Sequence, residues 1–137
     1  MLSVDKDGKN VFNVMAFPSN EFGGQEPGPN EMIFQYATDN YGLNFPLFAK
    51  VNVRQEDVSP PWKFLTDSAE RVPNWNFWKY LVGRDGNIID AWGPHTSVDK
   101  IVTYIQKALA GEPQPKTEAK RTQEQSSADH KKAEDEL

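Results

Sequence analysis

One stretch constrains most strongly what this chain can fold into. It is an apolar run that stops at a proline and is followed by a predicted loop and helix. Residues 11–17 read Val-Phe-Asn-Val-Met-Ala-Phe, and Pro18 follows them directly. The segment 18–29 is rich in Gly, Pro and Asn, and a stretch with helical spacing of apolar residues begins at Asn30. The pattern predicts a strand buried on both faces, a shaped loop and a helix entry. Loops of this kind often line sites in α/β proteins.

Composition limits the classes of function. The chain has 137 residues and a net charge of −5 with no basic cluster, which argues against a nucleic-acid partner. No apolar run approaches the roughly 20 residues of a membrane helix, and the N-terminus lacks an apolar signal core. The sequence contains no cysteine, so none of its own residues can form a disulfide or carry out thiol chemistry. Its two histidines, His95 and His130, suggest neither a metal cluster nor a Ser-His-Asp set.

The first half of the chain predicts a helix between two strands. Asn30 is expected to be the N-cap, and Gly42 to end the helix. The apolar face of that helix would carry Ile33, Phe34, Ala37 and Tyr41. Residues 45–53 are predicted as a second strand region, 54–61 as a loop, 62–65 as a short helical turn and 66–74 as a polar loop.

The second half predicts a hairpin and a helix. Residues 75–82 form an aromatic strand, 84–87 an Asp-Gly turn, and 88–92 the returning antiparallel strand. Ser97 can cap a helix over 98–110, which Gly111 would end. Residues 1–110 are thus expected to form one domain, and 111–137 a disordered tail, since that tail has almost no large apolar residues. The element order favours an α/β sandwich of the thioredoxin-like type.

Two long motifs resemble a known family. Residues 17–28, Phe-Pro-Ser-Asn-Glu-Phe-Gly-Gly-Gln-Glu-Pro-Gly, are similar to the glutathione peroxidase loop, usually written FPCNQFGxQEPG. Residues 75–82 are similar to that family's WNFxKFLV motif, and 83–86 and 93–97 match its following turn and loop. The resemblance runs from about Asn13 to Ala108. Trp78 and the stretch 90–92 look most like the cysteine-type, endoplasmic-reticulum branch of that family, whose members act on phospholipid hydroperoxides.

The resemblance implies an oxidoreductase that reduces hydrogen peroxide or lipid hydroperoxides in the response to oxidative stress. In the family, a cysteine or selenocysteine attacks the peroxide, and uncharged donors stabilise its anion. Gln25, Trp75 and Asn76 occupy the motif positions of those donors. The expected partners are the peroxide and a thiol reductant, either glutathione or a thioredoxin or disulfide-isomerase type protein. No cofactor is expected beyond that thiol co-substrate.

The sequence departs from the family pattern in two respects. Ser19 stands where many members have a resolving cysteine. A serine cannot form a disulfide, so recycling through an intramolecular disulfide at that residue is impossible. The nucleophile itself lies, in the family, in an upstream segment resembling NVASxCGxT, and this sequence begins after it. We therefore expect an incomplete thioredoxin-like fold without its first core strand, low stability and no peroxidase activity of its own. The short loop before Trp75 implies a monomer.

Plainer interpretations of the same residues stay open. Alone, Gln25 would be a loop amide and Trp75 a core residue, whereas Asn76 within an apolar strand needs hydrogen-bond partners. An alternative function is a non-catalytic relative that binds a redox partner in the secretory pathway. Glu134–Leu137, Glu-Asp-Glu-Leu, resembles a retention signal of the endoplasmic-reticulum lumen. A product that truly starts at Met1 would instead stay in the cytoplasm.

Overall fold

The computed structural model describes residues 7–114, and this part of the chain forms three helices and a two-stranded sheet. In chain order they are α1 (Asn30–Tyr41), α2 (Pro60–Ala69), β1 (Lys79–Val82), β2 (Ile88–Trp92) and α3 (Val98–Ala110). β1 and β2 pair antiparallel, with Lys79 opposite Trp92 and a register irregularity between Leu81 and Val82. The predicted α/β class is confirmed.

The hydrophobic core lies between α3 and the hairpin. Residues 101, 104 and 105 are spaced so that one helical face carries them all. That face packs on the sheet, and the Trp92 and Tyr104 rings meet edge to face with centroids 4.9 Å apart. The buried cluster comprises Leu81, Trp92, Ile101, Tyr104 and Ile105.

The returning strand β2, the turn before it and α3 have the predicted bounds. The turn closes with a hydrogen bond of 2.9 Å from Gly83 N–H to the Asn87 carbonyl, and Gly86 has φ +81°. Ser97 holds the N-cap position of α3, but its side chain makes no capping hydrogen bond. Gly111 ends the helix in the left-handed conformation that favours glycine.

The prediction of regular strands at 11–17 and 45–53 is wrong. They run parallel but share one isolated bridge, Ala16 to Leu47, with two hydrogen bonds of 2.9 Å around it. Pro18 and Pro46 carry no backbone N–H, so neither can donate to a continuing ladder. Within residues 7–114 no strand pairs with the other side of 11–17.

The prediction of a short turn at 62–65 is wrong, because α2 runs from Pro60 to Ala69. The two prolines that suggested a stop occupy its first turn, where a helix needs no N–H from them. The helix therefore extends into the predicted loop at 66–74. It ends at Glu70, which has φ +52°.

The strand predicted at 75–82 begins only at Lys79. Phe77 has φ +54°, which is incompatible with extended backbone and turns residues 75–78 out of the sheet. The cap of α1 also differs from the prediction. Pro29 is its N-cap, and the Asn30 side chain instead accepts a hydrogen bond from Lys50 N–H at 2.9 Å.

The predicted end of α1 at Gly42 is confirmed, and its predicted apolar face is only partly covered. Ile33 and Ala37 are half-buried, whereas Phe34 and Tyr41 are exposed. None of the α1 residues is fully buried.

Most of the predicted tail and the Glu134–Leu137 signal lie outside the described residues. The three helices between residues 7 and 114 are all too short or too polar to cross a membrane.

Candidate functional site

The loop between residues 17 and 30 is shaped by glycines and by its own polar side chains. Gly23 and Gly24 both take left-handed φ values, +69° and +61°, at a tight turn. The Asn20 side chain accepts a hydrogen bond of 3.0 Å from Glu26 N–H, which holds the far end of this turn. Gln25 lies between these anchors, so its side chain projects from a constrained backbone.

The loop meets the segment before β1 through two side-chain amides. Asn76 Nδ2 donates a hydrogen bond of 3.2 Å to Gln25 Oε1, although 51 residues separate them in sequence. This contact gives Asn76 the polar partner that its place in an aromatic segment requires. It also occupies the carbonyl end of Gln25, which leaves the NH₂ group as the outward end of that amide.

Trp75 lies against the same turn. A β-carbon built on Gly23 would be 3.3 Å from Trp75 Cη2 and 3.7 Å from Gln25 Nε2, so this glycine lies between the two side chains. The Trp75 ring also meets the buried Phe22 edge to face, with centroids 6.1 Å apart. The structure therefore brings Gln25, Trp75 and Asn76 together around residues 22–23.

This arrangement presents uncharged donors side by side. Within residues 7–114, neither the Gln25 NH₂ group nor the Trp75 indole N–H donates to another side chain or carbonyl. Trp75 is 43% exposed, so the indole is open to a molecule from solvent. Ordered neutral donors of this type stabilise an anion, or negative charge that develops on an oxygen, without adding a competing charge.

Ser19 takes no part in that contact. Its hydroxyl donates to the Glu21 carboxylate at 3.3 Å and accepts from Glu21 N–H at 3.4 Å. Both bonds stay within the loop. Ser19 thus serves the loop's own conformation, and within residues 7–114 its hydroxyl contacts no base other than the Glu21 side chain.

The sequence-based prediction missed two charged residues beside the donors. Arg54 and Glu21 join the loop at 17–30 to residues 53–55 and to Asn74. They lie 33 positions apart in loops without periodicity, so no spacing rule connects them. The one available signal was the motif itself, which has glutamine where this sequence has Glu21.

A second polar cluster surrounds Arg71, away from the donors. Arg71 contacts the buried Asp90 at 3.5 Å and donates to the Ala91 carbonyl, while its own carbonyl accepts from the Tyr80 hydroxyl at 2.7 Å. Burial raises the pKa of Tyr80 to about 12, although the Arg71 charge opposes that rise. These bonds connect the end of α2 to both strands.

Metal-binding groups and surface grooves within residues 7–114 also bear on what the site can bind. Among residues 7–114, no group of three His, Cys, Asp or Glu side chains is placed to hold a metal ion. A groove of about 560 Å³ lies between α1 and residues 47–49, lined in part by Phe34, Thr38 and Phe48. None of the three donor side chains lines that groove.

Comparison with known proteins identifies the family. The glutathione peroxidase family model matches residues 4–66. Glutathione peroxidase 7 of Bos taurus is 47% identical over 98 residues, which are 72% of this chain and 53% of that protein. The chain belongs to the glutathione peroxidase family.

Other relatives agree. Glutathione peroxidase 7 of Homo sapiens is 44% identical, over 72% of this chain and 52% of its own length. Probable glutathione peroxidase 8-A of Xenopus laevis is 43% identical, over 69% of this chain and 45% of its own length. These relatives represent the branch that Trp78 and residues 90–92 indicated. The chain spans about half the length of the relatives it matches.

A solved structure agrees with the fold. The crystal structure of Trgpx in apo form superimposes with a TM-score of 0.58 at 32% identity, covering 76% of this chain and 61% of that one. The predicted incomplete thioredoxin-like fold is therefore confirmed.

Proposed function

We propose that this chain forms part of a peroxidase that reduces hydrogen peroxide or lipid hydroperoxides with thiol reductants in the response to oxidative stress. Gln25, Trp75 and Asn76 are its anion-stabilising donors. The observation that carries the proposal is the 3.2 Å bond between Asn76 and Gln25, beside which Trp75 lies against Gly23. Three neutral donor side chains from two distant segments meet at one place, as the family's reaction requires.

The proposed reaction needs a thiolate or selenolate. Its sulfur or selenium attacks one peroxide oxygen, the O–O bond breaks, and the leaving oxygen takes a proton to become water or an alcohol. Two reductant thiols then return the oxidised centre to its starting state and become a disulfide, with release of water. The donors favour the reactive anion before the attack and the charge on the leaving oxygen during it.

The nucleophile of this reaction would come from a segment outside the sequence, because none of the 137 residues is a cysteine. Peroxide and a thiol reductant are the proposed partners. Glutathione and a thioredoxin or disulfide-isomerase type protein are both candidates for that reductant, and no other cofactor is proposed. With Ser19 at the resolving position, regeneration would use thiols of the reductant rather than an internal disulfide.

The proposed location is the lumen of the endoplasmic reticulum. The similarity to glutathione peroxidases 7 and 8 supports it, and so does the C-terminal Glu-Asp-Glu-Leu. A monomer is proposed from the short loop before Trp75.

A second candidate function is a non-catalytic module that binds a redox partner. The observation that favours it is Ser19, which replaces the redox-active residue of the loop while the donor side chains beside it remain in contact. Such a module would bind a disulfide isomerase or a similar protein without turning over peroxide.

One experiment separates the two candidates. The transcript upstream of Met1 is sequenced, and the product it encodes is assayed for peroxide loss with glutathione and with thioredoxin. An in-frame Cys or Sec in a segment like NVASxCGxT, together with turnover, supports the peroxidase. A serine there, or no such segment, supports the binding module.

Donor variants then test the residues. In that product, Gln25→Ala and Asn76→Ala are each expected to lower the peroxide reaction rate by about 10²-fold, the usual loss for one anion-stabilising donor. Gln35→Ala, which removes an exposed amide from α1, is the matched control and leaves the rate unchanged. Equal rates for all three variants would contradict the donor assignment. Peroxide turnover by the 137-residue chain alone would contradict the need for an outside nucleophile.

A further inference from the structure

Arg54 connects the two segments that carry the donors. Its Nη2 donates 2.9 Å to the Glu21 carbonyl in the loop at 17–30, and its Nη1 donates 3.2 Å to the Asn74 carbonyl directly before Trp75. The guanidinium carbon also lies 5.0 Å from the centroid of the Phe22 ring. A planar fork with several fixed donors is suited to span two carbonyls in this way.

Glu21 forms the reverse connection. Its Oε2 accepts from the N–H of the buried Val53, and its Oε1 accepts from Gln55 N–H at 3.0 Å. The carboxylate therefore holds the backbone on both sides of Arg54, while Arg54 holds the backbone carbonyl of Glu21. Besides the Ser19 hydroxyl on Glu21 and the Phe22 ring beneath Arg54, the two charged side chains bond to backbone groups and not to each other, so they form a crossed pair of loop anchors.

The chemistry of the anchors explains why a carboxylate stands at position 21. Two N–H groups converge on it, and a carboxylate offers two acceptor oxygens. A glutamine, which the family's motif pattern has at this position, would offer one acceptor and would turn an NH₂ group toward one of those N–H donors. Hydrogen bonds to charged groups are also stronger than neutral ones.

Phe22 carries the connection onward to the donors. Its side chain is buried, with the Arg54 guanidinium over its ring and the Trp75 ring packed against it edge to face. Movement of Arg54 would release both Asn74 and Phe22. Asn74 holds the backbone directly before Trp75, and Phe22 packs against the Trp75 ring. Asn76, one residue further, would lose its fixed approach to Gln25.

We propose that Glu21 and Arg54 are positioning residues of the donor site. Together they fix the loop at 17–30 against residues 74–76, and so set the distance between Gln25 and its partners Trp75 and Asn76. The role as positioning residues rests on the proposed function, whereas the effect on the geometry does not depend on catalysis.

The test measures geometry in the full 137-residue chain by NMR. Trp75→Phe assigns the Trp75 indole N–H signal, and Asn76→Ala assigns the Asn76 side-chain NH₂ signals. Arg54→Gln and Glu21→Gln are expected to shift both sets of signals. Glu21→Gln is also expected to speed hydrogen exchange of the Val53 and Gln55 amides by about tenfold or more, the usual effect of losing a charge-assisted hydrogen bond.

Two further variants show whether the guanidinium fork of Arg54 causes the shift of the donor signals. Arg54→Lys keeps the charge but loses the fork, and is expected to leave the donor signals displaced as Arg54→Gln does. Arg84→Gln removes an exposed arginine from the hairpin turn, and is expected to leave the donor signals in place. Amide signals of β1, β2 and α3 show whether each variant is folded.

The outcomes separate this inference from the proposed function. Faster exchange at Val53 and Gln55 with unmoved Trp75 and Asn76 signals would overturn it, because the anchors would then serve only their own loop. If Arg54→Gln does not fold, hydrogen exchange in the wild-type chain tests the inference instead. The N–H groups of Val53, Gln55 and the Trp75 indole are then expected to exchange through one common opening. Independent opening of these groups would overturn the inference. Absence of peroxide turnover in the longer product would overturn the proposed function and leave the geometric result standing.

Discussion

At the scale of single residues, Gly23 determines how closely the donors approach one another. Its φ of +69° is in the left-handed region, and a side chain there would be 3.3 Å from the Trp75 ring. Gly23→Ala is therefore expected to cost about 1 kcal/mol from the backbone alone, and to push Trp75 away from Gln25 as well. Thermal unfolding measures the first effect, and the Trp75 indole N–H signal measures the second.

Gly24 provides the matched control for that substitution. It has φ +61°, but a β-carbon there would meet no atom within 4 Å. Gly24→Ala is expected to lose a similar amount of stability while the Trp75 signal stays in place. If both variants move that signal equally, backbone strain and not contact controls the position of Trp75.

The residues of the site were predictable from sequence to different degrees. Gln25, Trp75 and Asn76 could be selected because they stand in two long motifs, and the structure brings them together. Glu21 and Arg54 could not be paired, since their bonds go to backbone groups that a sequence does not display. Phe77 reads as part of a strand, but its φ of +54° ends the extended run before β1.

At the scale of elements, the hairpin turn depends on an ionised carboxylate. Asp85 accepts hydrogen bonds from the Asn87 side chain at 2.9 Å and from Asn87 N–H at 3.1 Å. The bond from the Asn87 side chain, followed by that from its backbone, lowers the pKa of Asp85 below its ordinary value of 3.8. A lowered pKa means that folding favours the charged form, so this contribution is complete above pH 3.8 and is lost as pH falls through the lower folded value.

An acid titration checks this dependence. The Asp85 carboxyl carbon signal is expected to titrate below pH 3.8, and the hairpin amides are expected to shift with it. In Asp85→Asn, the hairpin amides are expected to lose that pH dependence. An Asp85 midpoint at or above 3.8 in the folded chain would contradict the assignment.

The elements differ in how far local sequence determines them. The hairpin turn and α3 are built from bonds between near neighbours, so the Asp-Gly turn and the helical spacing of residues 98, 101, 102, 105 and 109 predicted them well. The segments 11–17 and 45–53 have strand-like composition, but a strand also needs a partner along its length. Their backbones form a β-bridge only at Ala16 and Leu47, because Pro18 and Pro46 limit the N–H donors there.

At the scale of the whole molecule, burial is uneven. The buried hydrophobic cluster comes from β1, β2 and α3, whereas α1 has no buried residue. Large side chains such as Met32, Phe34 and Tyr36 on α1 are more than half exposed. Since an amphipathic face gains most of its stability from packing, α1 is expected to open more readily than the hairpin and α3.

Hydrogen exchange measures this difference directly. The amides of α3 are expected to exchange only on global unfolding, and those of α1 through a local opening of much lower free energy. Ile105→Ala, in the core, is expected to cost about 2–5 kcal/mol and to accelerate exchange in α3 and both strands. Ile33→Ala is the matched change on α1, and is expected to affect mainly α1 because that side chain is only half-buried. Equal protection of α1 and α3, lost together in both variants, would show that the chain unfolds as a single cooperative unit.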